Sequence, residues 1–103
     1  MTGVRQVTEE DLQLLYTTFA QVDDPNMIAA FMEDVCTVRE VQEMAQRLHV
    51  AHLLEAGESY AVIQEATGAS ATTIARVSKS LNYGANGYHA VIAAYKVQQK
   101  DEV

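Results

Sequence analysis

The sequence predicts an all-α fold of six helices in a single domain that spans residues 1–103. Apolar residues recur at helical spacing along most of the chain, no segment alternates between apolar and polar residues as a strand does, and helix caps separate the apolar runs. With 103 residues, of which 49% are hydrophobic and 20% charged, the chain can build one buried core.

The first two predicted helices have recognisable N-terminal caps. Thr8 precedes three acidic residues and is the expected N-cap of the first helix. Asp24 precedes Pro25, which suits the first position of a second helix because the missing N–H has no intrahelical partner there. The residues that we expect these two helices to bury are Leu12, Leu15, Tyr16 and Phe19 in the first, and Ile28, Phe31, Met32 and Val35 in the second.

A third helix is predicted to be the longest. Thr37 and Glu40 have the spacing of a capping box, and Gly57 provides a stop after Ala56. Apolar residues lie nearly all around its last turns, so we expect burial on several sides, as in the centre of a bundle or a dimer.

Two shorter helices follow, and together they have the pattern of a helix-turn-helix over about residues 59–81. Ser59 is the expected cap of a helix to about Ala66, and Ser70 caps a second helix that ends near Leu81. Residues 67–69 form a turn around a glycine, as this motif often does. After a stop signal at residues 82–84, a last helix is predicted from about Asn86 to Gln99, with the apolar stripe Tyr88, Val91, Ile92 and Tyr95.

The second helix of this motif has two distinct faces. Its inner face consists of Ile74, Val77 and Leu81, which would pack on Val62 and Ile63 of the preceding helix. Its outer face carries Thr72, Arg76 and Lys79, which are short or cationic side chains that suit a DNA groove. A pair of ordinary core helices with a solvated polar face fits the same spacing, so the spacing leaves both interpretations open.

The net charge of −7 opposes DNA binding, but the charge is unevenly distributed. Residues 1–36 carry one arginine and seven acidic residues, whereas residues 59–84 carry Arg76 and Lys79 against Glu65. The weakly positive segment is therefore the predicted DNA-binding one. The acidic front of the chain also leaves open an alternative function, a helical protein-interaction module with weak DNA affinity.

Other kinds of site find little support in the sequence. His49 and His52 could share a helix face with Glu43 or Glu55, but the HExxH form and a cysteine pair are both missing, so we predict no metal site. We also predict no catalytic residues, no cofactor and no enzyme activity, and we expect His89 to be a surface or interface residue. A single cysteine excludes an internal disulfide, and no stretch has the length of a membrane helix, so we expect a soluble, cytoplasmic protein.

The segment Gly68-Ala-Ser-Ala-Thr-Thr-Ile-Ala-Arg-Val-Ser-Lys-Ser-Leu81 resembles the recognition helix of the Trp repressor superfamily. Within this superfamily, three further stretches are similar to the YerC/YecD group of Trp-repressor-related proteins: residues 35–37, Ala-Gln-Arg-Leu at 45–48 and Leu-Asn-Tyr-Gly at 81–84. The resemblance covers almost the whole chain. It implies a six-helix fold, an intertwined homodimer, and a transcription regulator, in particular a repressor, that binds double-stranded DNA at a near-palindromic site.

The resemblance also implies site residues. The expected DNA contacts are Gln64, Ser70, Ala71, Thr72, Thr73, Arg76 and Lys79. Ala71, Thr72 and Thr73 would approach the bases. Ser70, Arg76 and Lys79 would contact phosphates or position the helix. Ala61 and Gln64 stand where the Trp repressor carries cations, so we expect fewer phosphate contacts and modest affinity.

An effector pocket is the second implied site. Thr37, Arg47, Arg76 and Ser80 occupy the positions that surround the corepressor in Trp repressor. Val77 stands where that protein has a glycine beside the indole ring, which argues against tryptophan as the ligand. Two alternatives remain. The pocket binds a smaller effector, or there is no effector and the arginines serve packing and phosphate contacts.

Overall fold

The computed structural model describes residues 6–101, and over this range it contains six α-helices and no strand. Their bounds are α1 Glu9–Phe19, α2 Pro25–Val35, α3 Val38–Glu55, α4 Tyr60–Thr67, α5 Ala71–Tyr83 and α6 Gly87–Asp101. The predicted all-α class and helix order are confirmed, and the boundaries agree with the predicted ones within two residues.

Local hydrogen bonds explain why α1 and α2 begin where they do. Thr8 Oγ1 accepts from the Asp11 amide at 3.1 Å, and the Thr8 amide donates to the Asp11 carboxylate at 3.1 Å, which completes a capping box. Asp24 caps α2 by accepting from the Asn26 amide at 2.9 Å, with Pro25 in the first turn. The backbone and side-chain hydrogen bonds from Thr8 lower the pKa of Asp11 below its usual value of 3.8.

The C-terminus of α3 is closed by a glycine in the left-handed conformation. Gly57 has φ +84°, its amide donates to Leu54 O at 3.0 Å, and the Glu58 amide donates to Leu53 O at 3.0 Å. These two bonds form the Schellman motif, which satisfies carbonyls that the helix cannot pair internally. The predicted stop at Gly57 is therefore confirmed.

The chain divides into two compact units, residues 1–38 and 39–103. In the first unit the rings of Phe19 and Phe31 meet edge to face, with centroids 5.8 Å apart. Neither α1 nor α2 buries any side chain completely, and four of the side chains predicted to be buried are exposed: Leu15, Tyr16, Phe31 and Val35. The predicted apolar stripes are present, but their predicted burial is wrong for these side chains within one chain.

The second unit contains a continuous core. Its buried residues come from α3, α4, α5, α6 and the α4–α5 turn: Val50, Ala51, Ile63, Ala69, Ile74, Val77 and Ile92. Leu53, Leu54, Leu81 and Tyr88 pack against this cluster. The inner face predicted for α5 is confirmed, and so is burial of the last turns of α3 on more than one side. Of the stripe on α6, Ile92 is buried and Tyr88 half-buried, whereas Val91 and Tyr95 are exposed.

His89 joins the ends of three helices in this unit. Its Nδ1 lies 2.8 Å from Glu55 Oε2, and its Nε2 lies 2.8 Å from the main-chain oxygen of Leu81. Both partners are acceptors, so an uncharged ring can donate to one of them only, whereas a protonated ring can donate to both. The sequence interpretation of His89 as a surface or interface residue did not include this structural role.

Candidate nucleic-acid interface

The helices α4 and α5 are joined by a three-residue turn. Gly68 follows the end of α4 with φ +73°, and its amide donates to Gln64 O at 2.9 Å. A side chain at this left-handed position would strain the backbone, which is the reason for glycine here. A turn around Gly68 was predicted over residues 67–69, and in the structure it lies one residue later, at 68–70, because Thr67 still belongs to α4.

Side-chain hydrogen bonds hold the turn in one conformation. Thr67 Oγ1 donates to Ile63 O at 2.7 Å and accepts from the Ala69 amide at 3.1 Å. Gln46 Nε2, from α3, donates to Thr67 O at 3.1 Å. Ala69 itself is buried in the core. Bonds within the turn and a bond from α3 therefore both restrict the direction in which α5 leaves the turn.

Ser70 and Thr73 form the N-terminal cap of α5. The Ser70 hydroxyl oxygen accepts from the Thr73 amide at 3.1 Å, and its hydrogen points to Thr73 Oγ1, also at 3.1 Å. Because the cap uses the Ser70 hydroxyl as both acceptor and donor, Ser70 is engaged within the helix end. Thr73 accepts from Ser70 and keeps its own hydroxyl hydrogen for another partner.

The outer face of α5 is exposed and cationic. Thr72, Arg76 and Lys79 are exposed and lie four and three residues apart, so they share one side of the helix. Within residues 6–101 no carboxylate forms an ion pair with Arg76 or Lys79. Ala71 is exposed at the first turn and Gln64 is exposed on α4, while Thr73 is half-buried. Both cations can therefore meet an external anion.

The structure brings together only part of the predicted effector pocket. Arg47 and Ser80 both line a cavity of about 650 Å³ in the second unit. Arg76 is not among the residues that line it, and Val77 is buried in the core. Thr37 directly precedes α3 and belongs to the first unit.

The walls of this cavity are mostly apolar. Besides Arg47 and Ser80, the lining residues are Val41, Met44, Ala45, Leu48, Gly84, Ala85, Gly87, Tyr88 and Val91. One guanidinium and one hydroxyl at the edge of an apolar surface suit a small molecule with an apolar body and an anionic group, or an apolar side chain of another protein.

Within the described residues no group of three metal-ligating side chains could hold an ion. His52 instead packs edge to face on Tyr95, with ring centroids 5.5 Å apart. The same part of the chain has no helix that is long and apolar enough to cross a membrane.

The sequence did not reveal the structural contribution of Gln46. This residue lies within the Ala-Gln-Arg-Leu stretch of α3, and its partner Thr67 is 21 positions further along the chain. No spacing rule links the two positions, because their contact depends on how α3 packs against the end of α4.

These features define a helix-turn-helix protein. Two short helices are joined by a turn around a glycine, and the second helix is capped, buries an apolar face and exposes a cationic face. The family model of the Trp repressor protein matches residues 10–96. The chain therefore belongs to the Trp repressor family, a family of helix-turn-helix transcription regulators that bind DNA and are not enzymes.

Individual relatives agree with this assignment. YerC of Bacillus subtilis (strain 168) is 38% identical over 87 residues, which cover 84% of each protein. A crystal structure of a candidate Trp repressor from Staphylococcus aureus has a TM-score of 0.81 at 32% identity and covers 86% of this chain and 89% of its own. The crystal structure of a TrpR-like protein from Eubacterium eligens ATCC 27750 has a TM-score of 0.79 at 39% identity. The match covers 86% of this chain and 91% of that protein's chain.

Proposed function

We propose that the protein is a homodimeric transcription regulator, acting as a repressor, that recognises a specific DNA sequence through α5. The observation that carries this proposal is the exposed face of the capped helix α5, where Arg76 and Lys79 form no ion pair with any carboxylate of residues 6–101. This function implies action in the cytoplasm. Because the chain belongs to a family of DNA-binding regulators, DNA is the simplest partner for this face.

Different residues of this face have different roles in the proposal. Ala71, Thr72 and Thr73 lie in the first turn of α5, and their small size lets the helix enter the major groove, where the threonines meet base edges. Arg76 and Lys79 bind phosphates. Ser70 contributes through the cap, and Gln64 adds a polar contact from the preceding helix.

The proposed dimer accounts for the apolar surface that one chain leaves uncovered. Exposed fractions are 66% for Leu14, 61% for Val35 and 72% for Val38. A second copy of the chain would cover such side chains on several helices at once. Two-fold symmetry then requires a near-palindromic DNA site with half-sites about 34 Å apart, one turn of the duplex.

The local charge limits the affinity. If Arg76 and Lys79 of both subunits bind phosphates, the dimer neutralises about four of them, and log K should fall with log salt with a slope of roughly −3.6. The overall charge of −7 per chain lowers non-specific binding further.

Selection of a binding site from random duplexes at low salt tests the proposal. We expect an enriched near-palindrome, and Arg76→Ala should bring the salt slope to roughly −1.8, because two phosphate contacts are lost per dimer. Thr73→Ala should weaken preference for the selected site with the slope unchanged, since the Ser70 cap on the amide remains.

Lys96→Ala is the matched control, because it removes an equal charge from α6, outside the motif. Lys96→Ala should leave the salt slope and the preference for the selected site unchanged. No enriched site, or an Arg76→Ala protein that binds like the parent, would contradict the proposal and favour the protein-interaction alternative through the acidic residues of α1 and α2.

The cavity beside Arg47 supports a second candidate function, sensing of a small effector. Its apolar lining and its single cation fit a molecule with an apolar part and a carboxylate. Calorimetry against the amino acids, including tryptophan, tests this function, with Arg47→Ala as the variant that should abolish any signal. A flat trace for all of them would remove the candidate and leave DNA binding without an effector.

A further inference from the structure

We propose that Gln46 is a positioning residue for α5, so that a side chain of α3 that faces the turn controls sequence recognition without contacting DNA. The inference rests on the proposed DNA-binding function. It starts from the hydrogen bond of 3.1 Å between Gln46 Nε2 and the main-chain oxygen of Thr67.

This bond satisfies an atom that the helix cannot satisfy itself. Thr67 is the last residue of α4, and the final carbonyls of a helix have no intrahelical donor. The Gln46 amide provides that donor from the middle of α3 in a partly buried position. Both of these groups are polar, so leaving either unpaired there costs free energy.

The bonds inside the turn and the bond from Gln46 have separate effects. Thr67 Oγ1 and the Gly68 amide bond only within α4 and the turn, so they fix the shape of the turn. The Gln46 bond connects the turn to α3 and therefore fixes its position. Ala71 begins α5 only four residues after Thr67, so a shift of the turn moves the end of α5 that is proposed to meet the bases.

Small shifts are sufficient to weaken recognition. Directional contacts in a binding site need placement to within about 0.5 Å, whereas attraction between a cation and a phosphate tolerates larger displacements. Loss of the Gln46 bond should therefore reduce discrimination between sequences and leave general DNA affinity unchanged. A residue that merely stabilises the fold would reduce both equally.

The test compares Gln46→Met with Gln42→Met, one helical turn earlier on α3, where the side chain is exposed. Gln46→Met should bind the selected duplex about three- to tenfold more weakly, as expected for one lost hydrogen bond. Its affinity for a random duplex and its salt slope should match those of the parent. Gln42→Met should bind both duplexes like the parent.

A second pair covers the case in which the methionine variant folds poorly. Gln46→Glu keeps the size of the side chain but places an acceptor against the Thr67 carbonyl, and Gln42→Glu adds the same charge at the exposed position. Unchanged discrimination in a folded Gln46 variant, or equal losses on both duplexes, would overturn the proposal.

Amide hydrogen exchange separates this proposal from the proposed function. Exchange at Gly68 and Ala69 should become faster in Gln46→Met, while the core amide of Ile92 on α6 stays protected. Unchanged exchange in the turn would overturn the role of Gln46 even if DNA binding is found. A parent protein that selects no DNA sequence would refute the proposed function, and the exchange result would still decide whether Gln46 holds the turn.

Discussion

The two compact units differ in how far each buries its own apolar residues. The unit of residues 39–103 has a core of fully buried side chains from four helices and the turn, with Ile63, Ile74 and Ile92 among them. The unit of residues 1–38 has two well-capped helices but buries no side chain of either completely. Because a stable fold needs buried apolar area, the helix-turn-helix has its own support in this core, whereas α1 and α2 expose apolar side chains that the proposed dimer would cover.

The largest predicted effect tests the core of the second unit. Ile63→Ala should lower the free energy of unfolding by about 2–5 kcal/mol, because it opens a cavity at a fully buried position. The neighbouring Val62 is 46% exposed, so Val62→Ala should cost roughly 0.5 kcal/mol or less. Denaturant unfolding of both variants provides the measurement. Equal costs at the two positions would show that this core is not the source of stability.

The second prediction tests the dependence of the first unit on a partner. Leu14 is 66% exposed in the single chain, yet Leu14→Ala should weaken dimerisation about tenfold or more, because the side chain loses burial in both subunits. Gln13→Ala, one position earlier on α1, removes a polar exposed side chain and should leave the dimer unchanged. Sedimentation over a range of concentrations measures the dissociation constant. A parent that stays monomeric, or equal behaviour of both variants, would contradict the proposed dimer.

The third prediction concerns the turn that joins α4 and α5. Gly68→Ala should cost about 1–2 kcal/mol through the left-handed backbone alone, since its nearest neighbour, the Gln46 amide, would lie 4.0 Å from the new methyl group. Gly87→Ala meets no atom within 4 Å and has no positive φ, so it should stabilise α6 by roughly 0.4–1 kcal/mol. Thermal unfolding should show shifts of opposite sign. Shifts of the same sign would show that backbone conformation does not control these positions.

The sequence predicted those features that depend on neighbouring residues. The caps at Thr8, Ser59 and Ser70 each involve partners three positions away, so the pattern of residue types was sufficient. The faces of α5 followed from its periodicity. The end of α5 was placed two residues early, because Asn82 and Tyr83 continue the helix until Gly84, where any side chain would overlap the main-chain oxygen of Ser80.

Contacts between distant residues could not be predicted in this way. Gln46 meets Thr67 across 21 positions and His89 meets Glu55 across 34, and both contacts depend on how helices pack. The same reason applies to the effector pocket. Of the four positions taken from a related protein, Arg47 and Ser80 line one cavity, whereas Arg76 and Thr37 are not among its lining residues.

The smallest predicted effect concerns the cap of α1 and its dependence on pH. The hydrogen bonds from Thr8 stabilise the charged carboxylate of Asp11 and lower its pKa below the usual 3.8. A lowered pKa in the folded state means that the stabilisation is present above the unfolded-state value and is lost as the pH falls through the folded-state value. The capping box of α1 should therefore weaken only in acid, below about pH 4.

Asp11→Asn tests this pH dependence, because the amide is similar in shape but cannot ionise. The variant should be less stable than the parent at neutral pH, and the difference should shrink as the pH falls below the pKa of Asp11 in the folded protein. Asp23→Asn, at an exposed position between α1 and α2, is the control and should show no such trend. NMR titration of the Asp11 carboxyl and the Thr8 amide should give the same midpoint. If the parent and Asp11→Asn differ equally at neutral and acid pH, the contribution of Asp11 to the cap does not depend on its charge.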